Sequence, residues 1–247
     1  MHQAAALHYK ALYIFNTKNY HKAITYYNNA LSINEVQKNS FGIVLNLQNL
    51  GKCFFELSDY LKAKSYFKKS LEISEKYGFQ RYQAFNLLYL GYIYRNLTEY
   101  NIALEYYQKS LVIYEQLDVK TYIGNILENI GIIYQKINNY QSALEYFNKA
   151  LSINEQKNNK KGIASNLSNI GNLYIYNLYD RLKGLEFLLK SLTFSEELGD
   201  KEFIAATYGN IGNVYIILSN YTMALEYYHK ALAINEKLGE KNIYPIP

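Results

Sequence analysis

Six asparagines occupy two repeating positions: Asn49, Asn129, Asn169 and Asn210 lie two residues before a glycine, and Asn172 and Asn213 lie one residue after it. The glycines themselves, Gly51, Gly91, Gly131, Gly171 and Gly212, are 40, 40, 40 and 41 residues apart. Asparagine is a mediocre helix-interior residue, because its side chain competes for backbone hydrogen bonds. Its carboxamide offers two donors and an acceptor, so a row of them can grip the N–H and C=O groups of a peptide without reading its side chains. The alternative is that they bond across to the next helix and only tie units together.

No catalytic constellation recurs in this way. His2, His8, His21 and His229 are scattered and show no paired metal spacing. Cys53 stands where the other units have Ile93, Ile133, Leu173 and Val214, which marks it as a core apolar residue. As a lone cysteine it cannot form an internal disulfide. Glu105, Glu145 and Glu226 recur beside tyrosines and read as a solvated face rather than an acid–base pair. No glycine-rich loop joins a strand to a helix to cradle a phosphate. The sequence therefore predicts a non-enzyme with no catalytic residue, no metal and no cofactor.

The elements that position the asparagines follow from the period, since self-similarity at about 40 residues marks a repeat solenoid. In the unit from Tyr122 to Lys161, Ile123, Ile126, Leu127, Ile130, Ile133, Tyr134 and Ile137 fall at helical spacing. Asn139 then reads as an N-cap. Tyr140, Ala143, Leu144, Phe147, Ala150, Leu151 and Ile153 form a second helical stripe. Each unit is thus two antiparallel helices joined by a tight turn. Projecting the frame backwards puts Ala11 at the glycine position of a first unit, which makes six.

The expected organisation is one array over residues 1–238, with repeats at about 1–39, 40–79, 80–119, 120–159, 160–200 and 201–238, and an aborted seventh repeat or coil tail over 239–247. The fifth unit has one extra residue in Leu178–Lys183, and Gly184 replaces the small alanine, so a distorted turn is expected there. No polar capping element is visible after the sixth unit. Hence the chain is read either as a piece of a longer protein or as a module that stacks end to end through its last helix.

Charge and hydropathy exclude further classes. The net charge of +5 is spread without a run of five like charges, so no nucleic-acid partner is expected. No stretch of about 18 apolar residues could span a bilayer, and the first seven residues have no leader pattern. A cytoplasmic protein without a membrane partner is the expectation.

The pattern Leu127, Ile130-Gly131, Tyr134, Ala143, Phe147, Ala150 resembles the tetratricopeptide repeat. The period of 40 and a Glu in place of the usual terminal Pro are similar to a longer-helix subtype found in spindle-orientation scaffolds, kinesin light chains and bacterial signalling regulators. The resemblance covers residues 3 to 238. It implies an all-α, right-handed α-solenoid of six helix-turn-helix repeats, about twelve helices, with the first helices lining a groove for a protein or extended peptide. On that frame the asparagines face the groove, flanked by Lys52, Tyr89, Tyr92, Arg95, Gln135, Lys136 and Tyr176. Lys52, Arg95 and Lys136 either favour an acidic ligand or are plain solvated charge. The carboxylate-clamp pattern of some relatives is missing, since Leu45, Phe85, Asn125, Ser165 and Ala206 occupy its positions. A scaffold, a sensor module of a larger signalling protein, and a self-assembling array remain as readings.

Overall fold

The apolar stripes become helices of nearly uniform length. The computed structural model describes residues 2–239, and among these every regular element is an α-helix. In order they are α1 (His2–Asn16), α2 (Tyr20–Val36), α3 (Ser40–Glu56), α4 (Tyr60–Lys76), α5 (Gln80–Asn96), α6 (Tyr100–Gln116), α7 (Lys120–Lys136), α8 (Tyr140–Gln156), α9 (Lys160–Tyr176), α10 (Arg181–Leu198), α11 (Lys201–Ile217) and α12 (Tyr221–Leu238). The helices group into two compact units, Met1–Val119 and Lys120–Pro247. Within each unit every helix packs on the next, so each is a run of three helix hairpins in the manner of an α-solenoid. Of the tail expected at 239–247, residues 240–247 lie outside the described residues. Among the described residues no helix is long and apolar enough to cross a membrane.

Local chemistry sets the helix boundaries. Asn139 accepts from the Ser142 N–H at 3.2 Å, as its reading as an N-cap requires. Asn19, Asn39, Asp59, Asn159, Asp180, Asp200 and Asn220 cap their helices in the same way. The repeating glycines are set by close approach: a Cβ on Gly51, Gly91 or Gly131 would lie 2.5–2.8 Å from the ring of Phe67, Tyr107 or Phe147. Each glycine costs its helix about 1 kcal/mol relative to alanine, which the packed ring offsets.

The fifth hairpin differs as expected. Four residues, 177–180, join α9 to α10, where the other hairpins use three. Leu188 replaces the ring, and a Cβ on Gly184 would come within 2.7 Å of the Gly171 carbonyl oxygen, so the two backbones run close together.

Polar nodes interrupt the apolar core. Asn86 donates from Nδ2 to the Ser70 and Ser74 hydroxyls (3.0 and 3.4 Å), while its Oδ1 accepts from Gln48 at 3.0 Å. In the second unit Asn154 Nδ2 donates to Asn166 Oδ1 at 2.8 Å.

Candidate functional site

On the odd-numbered helices one stripe at helical spacing is only partly buried, such as residues 85, 89 and 92 of α5, of which Phe85 and Tyr89 still pack against the core, or 165, 169 and 172 of α9. Of the residues expected at the site, Asn129 is buried, Lys136, Tyr176 and Asn213 are exposed, and the others are half-buried on these helices.

In the first unit the stripe is aromatic and cationic. Tyr89 lies 4.8 Å from the Phe67 ring, 4.7 Å from Phe85, 5.4 Å from Tyr92 and 5.7 Å from Phe55. The Arg95 guanidinium lies 5.7 Å over the Tyr92 ring, and the Lys52 ammonium 4.8 Å over Phe15. Such contacts are worth about 0.5–1 kcal/mol when exposed and more when desolvated. Burial lowers the pKa of Lys52, with Cys53 and Glu56 opposing. Burial likewise pushes the Cys53 thiol up to about 12, so it is inert as a nucleophile. Asn49 donates from Nδ2 to the Leu45 carbonyl of its own helix at 2.9 Å.

The second unit's stripe is built of carboxamides. Asn169 Nδ2 and Ser165 Oγ both donate to Glu128 Oε1, at 2.7 and 2.6 Å, linking α9 to α7. Gln135 donates to Asn177 Oδ1 at 2.8 Å. Asn213 accepts from the Tyr228 hydroxyl at 2.6 Å. Asn129 is only 5 % exposed and donates to the Asn125 carbonyl at 2.7 Å. Asn210 is half-exposed, and Lys136 is exposed at the end of α7. Several of these amides thus use one N–H inside the fold, some along their own helix and some across to another. The remaining N–H and oxygen are held in a fixed orientation.

One contact explains several orphaned polar atoms. In the sixth hairpin the residue after the glycine, Asn213, meets the hydroxyl of the packed ring, Tyr228. The fifth hairpin has the asparagine but Leu188 in place of the ring, and Asn172 Oδ1 is buried with no partner among the described residues. The first and third have the tyrosine but Leu12 and Tyr92 in place of asparagine. The buried Tyr27 and Tyr107 hydroxyls there likewise lack partners among the described residues. Burial raises both their pKa values above the usual tyrosine range.

Sequence reasoning missed Glu128 and Phe55. The equivalent positions hold Gln48, Leu88, Ser168 and Gly209 for the first, and Arg95, Gln135, Ile175 and Ile216 for the second. Without recurrence there was no signal to find them.

Residues 2–76 and 83–156 match one family model described as tetratricopeptide repeat, and residues 205–238 match a second of the same description. The unmatched stretch 157–204 contains the widened turn. Among solved structures, BtubC (BKLC) from P. vanneervenii is 17 % identical, with 93 % of each chain covered and a TM-score of 0.73. A STAND signal-transduction ATPase with a tetratricopeptide repeat sensor from Pyrococcus horikoshii is 18 % identical, with 96 % of this chain and 37 % of that one covered and a TM-score of 0.78. A Rap protein complexed with competence and sporulation factor is 17 % identical over 97 % of this chain and 77 % of that one, with a TM-score of 0.68. No curated protein matches the sequence.

Proposed function

The chain belongs to the tetratricopeptide repeat family, and from that premise we propose that it is a non-catalytic scaffold whose odd-helix stripes bind a protein or an extended peptide. The observation that carries this reading is the second unit's row of half-exposed carboxamides, Asn169, Asn172, Asn210 and Asn213, which recur without being needed for the glycine–ring packing. Each contributes about 0.5–1.5 kcal/mol net through a hydrogen bond to a ligand backbone. On the first unit's stripe, Tyr89 and Tyr92 supply apolar contact, and Arg95 with Lys52 favours an acidic segment. The Rap neighbour, solved with a factor bound, supports a binding role for this fold.

A regulatory reading is favoured by the STAND neighbour, of which this chain spans 37 % and whose repeats are called a sensor. Here the same stripes would bind an effector inside a larger protein.

The test is a peptide selected against the full chain. Asn172→Ala, Asn210→Ala and Asn213→Ala combined should weaken it by about tenfold or more, at three lost hydrogen bonds. Equal affinities, with an unchanged thermal melt, refute the carboxamide grip.

A further inference from the structure

In the first unit one frame position ties neighbouring odd-numbered helices together. His8 Nδ1 donates to Asn46 Oδ1 at 3.0 Å, and Gln48 Nε2 donates to Asn86 Oδ1 at 3.0 Å, each pair 38 residues apart. Both asparagines turn their oxygen to that donor, because their Nδ2 groups are bonded elsewhere. Asn46 donates to the Gly42 carbonyl, and Asn86 to the Ser70 and Ser74 hydroxyls.

The equivalent pair in the second unit is Glu128 and Asn166, and its polarity is reversed. The Gly162 N–H donates to Asn159 Oδ1 at 3.2 Å, Asn159 Nδ2 to Asn154 Oδ1 at 2.8 Å, and Asn154 Nδ2 to Asn166 Oδ1 at 2.8 Å. A backbone N–H can only donate, so it fixes the direction of all three carboxamides in turn. The relay ends on Asn166 Nδ2, a donor, and the frame sets a carboxylate opposite it where the first unit has His or Gln. Yet the two do not meet. Asn166 is 0 % exposed, and its Nδ2 has no partner among the described residues. Glu128 Oε1 instead accepts from Ser165 Oγ and Asn169 Nδ2, at 2.6 and 2.7 Å. A buried N–H without an acceptor is rare and costly.

We propose that Glu128 is a two-position latch that sets whether Ser165 and Asn169 are available to an acceptor such as a peptide carbonyl. Glutamate has the length of Gln48, which spans the equivalent junction, so side-chain rotation alone carries the carboxylate inward to Asn166. In the chain without a ligand, two donors hold it outward against one inside. A peptide carbonyl that takes Asn169 or Ser165 tips the balance, and the displaced carboxylate then satisfies the buried Asn166 amide. Glu128 and Asn166 are thus positioning residues that act without touching the peptide. The latch takes its functional meaning from the peptide-binding reading above, but its two positions do not depend on that reading.

The first test therefore needs no ligand. The full chain is isotopically labelled at its asparagine side-chain nitrogens, and the Asn166 amide is assigned in the NMR spectrum by its loss in Asn166→Thr. Threonine is the residue found at this frame position in the sixth hairpin, as Thr207, and it can still accept from Asn154, so the melt should stay near that of the wild type. Ser165→Ala with Asn169→Ala removes the outer donors and should move the Asn166 amide protons downfield, as a new bond to a carboxylate requires. In a Glu128→Ala background the same pair should move them far less. An equal response with and without Glu128, or none in either, overturns the latch and gives the Asn166 N–H another partner, such as a buried water.

The second test reads binding by anisotropy, with a fluorescein-labelled peptide selected against the full chain. Asn166→Thr should weaken it by about three- to tenfold, because the carboxylate then has only its outer position. Glu128→Ala should bind at least as tightly as the wild type, and Asn166→Thr should add nothing in that background. Weaker binding by Glu128→Ala, or an equal loss from Asn166→Thr in both backgrounds, overturns the latch's control of binding. Failure to select any peptide counts against the carboxamide grip and not against the latch, which the amide signal decides alone.

Discussion

On α5 of the first unit the outward stripe holds Phe85, Tyr89 and Tyr92, and Tyr89 lies within 6 Å of the rings of Phe55, Phe67, Phe85 and Tyr92. On α9 of the second unit the same positions hold Ser165, Asn169 and Asn172, of which Ser165 and Asn169 each donate a hydrogen bond to Glu128 of α7. The frame beneath is shared, a glycine against a packed side chain from the following helix. Core and stripe are therefore specified by different residues one or two positions apart. One unit can offer aromatic rings and cations, and the other carboxamides and a carboxylate, with no change in backbone.

The largest effects should come from the shared frame. Phe67→Ala and Phe147→Ala should each cost about 3–5 kcal/mol in urea melts, as large core truncations do. They should differ at Cys53, a buried thiol of the first unit. A thiol reagent should label it faster in Phe67→Ala than in Phe147→Ala, because repeat stability is dominated by nearest neighbours. Equal acceleration would break the comparison by showing that the two units open together.

A middle-sized effect tests the amide network. Glu128→Ala strands the Ser165 hydroxyl and the Asn169 amide and should cost about 1–3 kcal/mol, read as a lowered melting temperature. Glu128→Gln should cost less, since one acceptor oxygen remains. If the alanine variant melts like the wild type, the carboxylate does not organise that face.

The smallest effect is the sharpest, because one substitution should act with opposite signs. Tyr107→Phe removes a buried hydroxyl without a partner among the described residues and should stabilise by about 1 kcal/mol. Tyr228→Phe removes the bond to Asn213 and should destabilise by about 0.5–1.5 kcal/mol. The pH dependence follows the raised tyrosine pKa values. Below about pH 10 neither folded nor unfolded chain ionises these tyrosines. Above it the unfolded chain releases protons that the folded chain retains, so stability should fall as pH rises. Tyr107→Phe should flatten that alkaline decline in denaturant melts.

Much of this fold was legible because it repeats. Gly131 and Phe147 recur as a pair that packing demands in nearly every unit, and the additional residue near Tyr179 signalled the wider α9–α10 connection. The asparagine positions were legible for the same reason, but their bonding was not. Asn49 and Asn129 turn back on carbonyls of their own helices, Asn169 reaches another helix, and Asn172 Oδ1 finds no donor among the described residues. Those outcomes depend on residues such as Glu128 and Leu188, each found once in its frame position. Recurrence reveals what every repeat needs, whereas a binding surface is made of what single repeats do differently.

The buried nodes around Asn86 and Asn154 carry a consequence for motion along the helix axes. Aliphatic faces alone would let one helix slide past another by a turn, about 5.4 Å, and find nearly equivalent contacts. A carboxamide bonded to Gln48, Ser70 and Ser74 has no equivalent set one turn away. Each node acts as a detent, so a hairpin that opens and recloses must return to a single register.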